Sequence, residues 1–187
     1  MIAVYVPHRP ISILRKAFQL TESSESTAEQ QKVVRLAQQA ATLAMEEYAS
    51  EEQIIAAFLY GVDKLLSIDT LKNDSSVDSN REAILLTWLG SNFGEKVALP
   101  IILQSQAIRY LYTTMPSFGV SMERSRWDRM SSTELDKFKA HTYFRHAIQV
   151  CLWVDRAKTT QHETPTCAQF LDFVEDFHER YREGSKG

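Results

Sequence analysis

Apolar residues recur along most of this chain at intervals of three and four. Val33, Leu36, Ala37, Ala40, Leu43 and Ala44 form one series, and Ile54, Ile55, Phe58, Leu59, Val62, Leu65 and Leu66 form the next. Such spacing places each series on one face of a helix. Polar residues set the boundaries. Thr27, with Gln30 three positions on, is a capping-box pattern that opens a long helix reaching about Tyr48; Ser50 caps the one after it. The small residues of the first series permit a close helix neighbour.

The same reading extends in both directions. Ile2 to Val6 forms a short strand or an extended arm stopped by Pro7 and Pro10, which sets residues 1–10 apart. Ile11 to Leu20 is a short helix with Ile13, Leu14 and Phe18 on one side. The most polar stretch, "DTLKNDSSVDSN", is a loop, and Ser79 or Asn80 at its end caps "REAILLTWLGSNFG", which Gly90 or Gly94 ends. A helix from Glu95 to Tyr112 follows, with Pro100 near its start, and then a long loop or short-helix region, "TTMPSFGVSMERSRWDRM". Ser131 or Ser132 with Glu134 starts another helix, "YFRHAIQVCLWVDRAK" is the next, and Thr166 opens the last, which ends near Gly184. No repeat and no linker divides the chain. The expectation is one all-α domain over residues 1–187, a bundle of about six to seven helices.

Composition narrows the function classes. A hydrophobic fraction of 44% and a charged fraction of 24% over 187 residues suit a globular domain with a real core. With a net charge of −3 and no basic patch interleaved with aromatics, nucleic acid is not an expected partner. No apolar run approaches the roughly 20 residues of a membrane span, and the start has neither a basic n-region nor a small-residue cleavage site. The two cysteines, Cys151 and Cys167, read as reduced and part-buried, so the expected compartment is the cytoplasm.

Catalytic signatures are missing. His141 and His146 are five apart, which spreads them around a helix rather than pairing them as metal ligands, and they read as half-exposed surface groups. His162 lies in a polar loop and His178 on what reads as a solvated face. "GSNFGEK" lacks the Gly-Lys-Ser/Thr of a phosphate loop, and no G-x-S-x-G elbow occurs. Trp88, Trp127 and Trp153 read as core or half-core anchors.

Several segments nevertheless match a known pattern in order and spacing. "AAFLYGVDKLL" resembles A-A-L-L-H-D-x-G-H. "LPIILQSQAIRYL" resembles P-I-x-x-H-V-A-A-K-R-Y-L, and "YFRHAIQVCLWVDRAK" resembles F-x-x-A-x-x-L-R-x-W-D-D-A-A-K. "SSTELDKFKAH" fits S-P-E-E-x-x-x-F-E between them. From about Ile11 to Phe177 the chain is similar to the HD-domain oxygenases that cleave organophosphonates, relatives of the inositol oxygenases. The resemblance implies an HD-domain-like helical bundle holding two irons through His and Asp.

Carried over position by position, that resemblance implies a lost centre. The first histidine falls at Leu36, the His-Asp doublet at Tyr60 and Gly61, the next histidine at Arg81, the following one at Gln104 and the last aspartate at Val154. Leu, Gly and Val carry no side-chain donor, and a lone Tyr does not hold two metals. The substrate-gripping Lys falls at Ile108 and the gripping Arg at Cys151; the lid keeps an acid at Glu29, but its Tyr position holds Ser26. Asp63 and Asp155 lie close to two of these positions, but a slip that recruits them breaks the apolar register. Neutral replacements avoid leaving unpaired buried charge once metal is absent. Arg81 reads either as a helix-start residue reaching solvent or pairing with Asp63 or Asp155, or as a charge substitute that holds an anion.

The expected protein has no catalytic residue, metal or cofactor. It acts by binding a protein partner or forming a homo-oligomer, with no role for nucleic acid or membrane. The alternatives are a small-molecule or anion sensor using the vacated pocket, and an enzyme of different chemistry built on Tyr60, Arg81, Gln104 and Arg109. A filled centre, with Leu36, Leu59, Ile108 and Val154 packed together, and an exposed apolar patch favour the first. The patch candidates are "TTMPSFGVSM" and the last helix with Phe170, Phe173, Val174 and Phe177. A concave pocket with convergent polar groups favours the others.

Overall fold

The computed structural model describes residues 9–21, 26–66, 81–115, 117–118 and 128–184. Residues 1–8 of the expected arm, most of the two long polar stretches, Ser79, Asn80 and Trp127 lie outside these, whereas Arg9 and Pro10, placed in the arm by the sequence, begin the first helix, where a proline is tolerated in the first turn. Every regular element among the described residues is helical: α1 (Arg9–Leu20), α2 (Ala28–Glu46), α3 (Glu51–Phe58), a 3-10 turn (Val62–Lys64), α4 (Arg81–Phe93), α5 (Glu95–Ile102), α6 (Gln104–Thr114), α7 (Ser132–Lys139), α8 (Phe144–Ala157) and α9 (Cys167–Gly184). The all-α bundle expected from the pattern is the observed architecture, and it fits an HD-like bundle. No helix among the described residues is long and apolar enough to cross a membrane.

The start signals act as read. Thr27 and Gln30, Ser50 and Gln53, and Ser131 and Glu134 form reciprocal capping boxes at α2, α3 and α7. Thr166 and Gln169 exchange the same hydrogen bonds ahead of α9.

Two helices are shorter than their apolar series, which raises the helix count. The series from Ser50 stops at Phe58 because Gly61 turns left-handed at φ +77°, and a 3-10 turn carries the rest. The series from Glu95 breaks at Leu103, where ψ is 1°. Leu103 is buried at this junction, donating to Leu99 O at 2.9 Å and accepting from Ala107 N at 2.9 Å. Tertiary packing, not a polar signal, sets this corner. It frees α6 to lie along α8 while α5 packs on α3, α4 and α8.

Two apolar clusters result. The larger draws on α1 to α5, α8 and α9, with α2 packed on α3 and α8. Phe18, Phe58 and Phe170 stack through it at centroid separations of 4.9 and 4.8 Å, tying α1, α3 and α9 together. The smaller joins α6, α7 and the first turns of α8, with Phe118 and Met130. Tyr60 packs against both.

Polar pins fix the helix pairs. Glu47 at the end of α2 accepts from Trp153 Nε1 at 2.8 Å and from Arg156, both on α8. Arg15 on α1 bridges Asp172 and Glu175 on α9 at 2.7 and 2.6 Å. His178 is not on a solvated face. It is 1% exposed, its Nδ1 lies 2.7 Å from Asn92 O, and its ring rests on Phe93. It lies four residues beyond Val174, on the buried stripe of α9. Phe170 and Val174 are buried, and Phe173 and Phe177 pack partly buried on the core, so this helix turns its aromatics inward.

Candidate functional site

The seam between the two clusters is open. A cavity of about 630 Å³ lies there, walled by α2, the turn after α3, α6 and α8. Helical spacing explains the lining. Glu29, Lys32, Val33 and Leu36 share one face of α2; Gln104 and Ile108 share one face of α6; Cys151, Val154, Asp155 and Lys158 share one face of α8. Tyr60, Gly61 and Lys64 come from the turn, and Phe118 from beyond α6.

The residues aligned with the family's ligands and substrate shell are brought together here from four separate stretches of chain. Leu36, Tyr60, Gly61, Gln104, Val154, Glu29, Ile108 and Cys151 all line the cavity. Arg81 does not. Its guanidinium donates to the carbonyls of Asp63 and, at 3.1 Å, Leu66, closing the end of the 3-10 turn. Arg109 is also committed elsewhere, to Asp128 O at 3.2 Å and Glu134 at 2.9 Å. Leu36, Ile108 and Val154 face a common space instead of filling it, and Leu59 is fully buried in the larger cluster. The centre is therefore concave, the form that favours a pocket over the filled centre of a scaffold.

The cavity has an apolar floor and a charged mouth. Val33, Ile108, Phe118, Cys151 and Val154 are buried, and Leu36 is half-buried. At the mouth, Lys64 pairs with Glu29 at 3.3 Å and Lys158 with Asp155 at 2.7 Å. Lys32 has no ion-pair partner among the described residues, and the Tyr60 hydroxyl and Gln104 amide make no hydrogen bond among them. Burial raises the Tyr60 phenol above its ordinary value, with smaller contributions from Cys151, Asp63 and Asp155, so it stays a protonated donor. Burial likewise pushes the Cys151 thiol up to about 12, and its Sγ lies 3.8 Å from Gln104 O. A protonated thiol is a poor nucleophile. Beneath the turn, Asp63 Oδ1 is buried without a hydrogen-bond partner among the described residues.

The iron pair that the resemblance implies does not fit this donor set. Among the described residues no imidazole lines the cavity, and both lining carboxylates are engaged by lysines. The remaining side-chain oxygens are the neutral ones of Tyr60, Gln104, Ser105 and Thr159, a poor set for a dinuclear centre. Among the described residues no group of three His, Cys, Asp or Glu is placed to share a metal.

Sequence reasoning missed the lysines at the mouth. Lys32 lies three residues after Glu29, and Lys158 four after Val154, so helical spacing from the aligned positions was the available signal. Lys64 and Phe118 arrive through a turn and a loop that no periodicity encodes.

No protein-family model matches the chain. It is 27% identical over 146 residues to hydroxymethylphosphonate dioxygenase of Gimesia maris, covering 73% of each chain. It is 30% identical over 129 residues to an uncharacterized protein of Acanthamoeba polyphaga mimivirus, covering 63% of this chain and 59% of that one.

Proposed function

We propose that this chain is a non-catalytic relative of the phosphonate dioxygenase it resembles, and that it binds a small molecule in the cavity between its two clusters. The observation that carries the reading is the cavity: about 630 Å³, apolar at its floor, with donors on Tyr60, Gln104 and Lys32 that have no partner among the described residues. Size and lining match the usual ligand site, mostly apolar with a few placed polar groups. The same inventory argues against chemistry. The thiol is protonated, no imidazole among the described residues stands beside it as a base, and the donor set does not suit irons.

This reading reorders the sequence-based expectation, in which a protein partner came first. The partner surface proposed on the last helix is taken up by the core, whereas the vacated pocket is open. Native mass spectrometry of freshly purified protein, compared with its denatured mass, tests the reading. A retained small molecule is expected, displaced in Ile108→Trp, which fills the floor. Only the bare chain mass, with unchanged stability across a small-molecule panel, overturns it. Iron-dependent turnover of hydroxymethylphosphonate overturns its non-catalytic part.

A further inference from the structure

We infer that the ligand is an amphiphilic monoanion: a carboxylate held at the cavity mouth by Lys32, with a hydrocarbon body lying on the apolar floor. This rests on the binding reading above and goes further by naming a chemical class. Charge comes first. Three ammonium groups face the mouth against two carboxylates, and the two ion pairs consume Lys64 and Lys158. Among the described residues one cation, Lys32, is left over. A single positive charge calls for a single negative one. A dianion would have to draw a second cation out of its existing pair, and among the described residues no arginine lines the cavity to grip a tetrahedral oxyanion with its fork.

Hydrogen bonding points the same way. A carboxylate offers about four acceptor sites and no donor. The cavity's polar groups without partners among the described residues include the Lys32 ammonium, the Tyr60 hydroxyl and the Gln104 amide, and all three can donate. The floor supplies the other half of the specificity. Leu36, Ile108 and Val154 occupy positions where the resemblance leads one to expect polar ligands and a substrate-gripping cation, and with Phe118 they make a surface that only hydrocarbon covers without loss.

Titration calorimetry of the full chain with octanoate, octanol and octyltrimethylammonium tests this. Octanoate should bind saturably, octanol about tenfold more weakly, and the cation not measurably, as expected when one charge-assisted contact is worth about one decade. Lys32→Gln should lower octanoate affinity about tenfold and leave octanol unchanged. Lys96→Gln, which removes an exposed lysine paired with Glu52 outside the cavity, should change neither. Octanol binding as tightly as octanoate, or Lys32→Gln without effect, overturns the monoanion class and leaves the small-molecule reading standing. Failure of all three probes while native mass spectrometry still finds a retained molecule does the same. Failure of the probes with no retained molecule sinks both.

Discussion

Gly61 shows how one residue's backbone can limit the side chain its position accepts. The resemblance aligns it with an aspartate, yet its φ is +77° and an added Cβ would stand 3.1 Å from Val33 Cγ1. Side chains other than glycine's are strained in that conformation. Gly61→Asp should therefore cost roughly 1–3 kcal/mol of stability without creating a metal site. Gly90, inside α4 with nothing within 4 Å of its missing Cβ, gives the opposite sign. Gly90→Ala should stabilise by roughly 0.5–1 kcal/mol. Urea denaturation of the two variants checks both, and a neutral Gly61→Asp would show that the turn is not constrained. The identity of Gly61 was plain in the sequence; its handedness was not, because it depends on the close approach of α2. Arg81 teaches the same lesson. Its charge was visible, but the carbonyls it serves belong to a turn that forms only when α3 stops short.

At the scale of elements, local signals were legible and tertiary corners were not. Capping boxes are written in four consecutive residues, so α2, α3 and α7 begin where the sequence places them. Leu103 carries no such mark, and the apolar series runs through it, so the break between α5 and α6 had to come from packing. The box at α7 offers a pH test. The Ser131 backbone N–H, then its hydroxyl, then Arg109 hold the Glu134 carboxyl down to about 2. A depressed carboxyl contributes stability above its unfolded pKa and loses it as pH falls through the folded one. Helix α7 should thus keep its cap at neutral pH and lose it between about pH 4.5 and 2. Carboxyl-carbon NMR titration of Glu134 should show the low value, retained mostly in Arg109→Gln because the larger causes lie inside the box. An ordinary value in the intact chain would refute the geometry.

At the scale of the molecule, aligned positions far apart in sequence meet at one seam, and that juxtaposition was legible only through the resemblance. Periodicity alone yields faces, not which faces enclose a space. The cavity's donor set predicts that protein incubated with ferrous iron under anaerobic conditions, then desalted, retains well under one iron per chain by elemental analysis, with no rise in melting temperature. Two retained irons per chain would overturn the assignment of Leu36, Gly61 and Val154 to the former ligand positions. The two long walls of the cavity, α2 and α8, are joined near one end by Glu47 and the Trp153 indole N–H, one residue from Val154. An indole whose N–H faces a carboxylate has an emission sensitive to that carboxylate's distance. Trp153 emission, isolated by replacing Trp88 and Trp127 with Phe, should therefore shift when occupancy of the cavity moves its walls, with no dye attached.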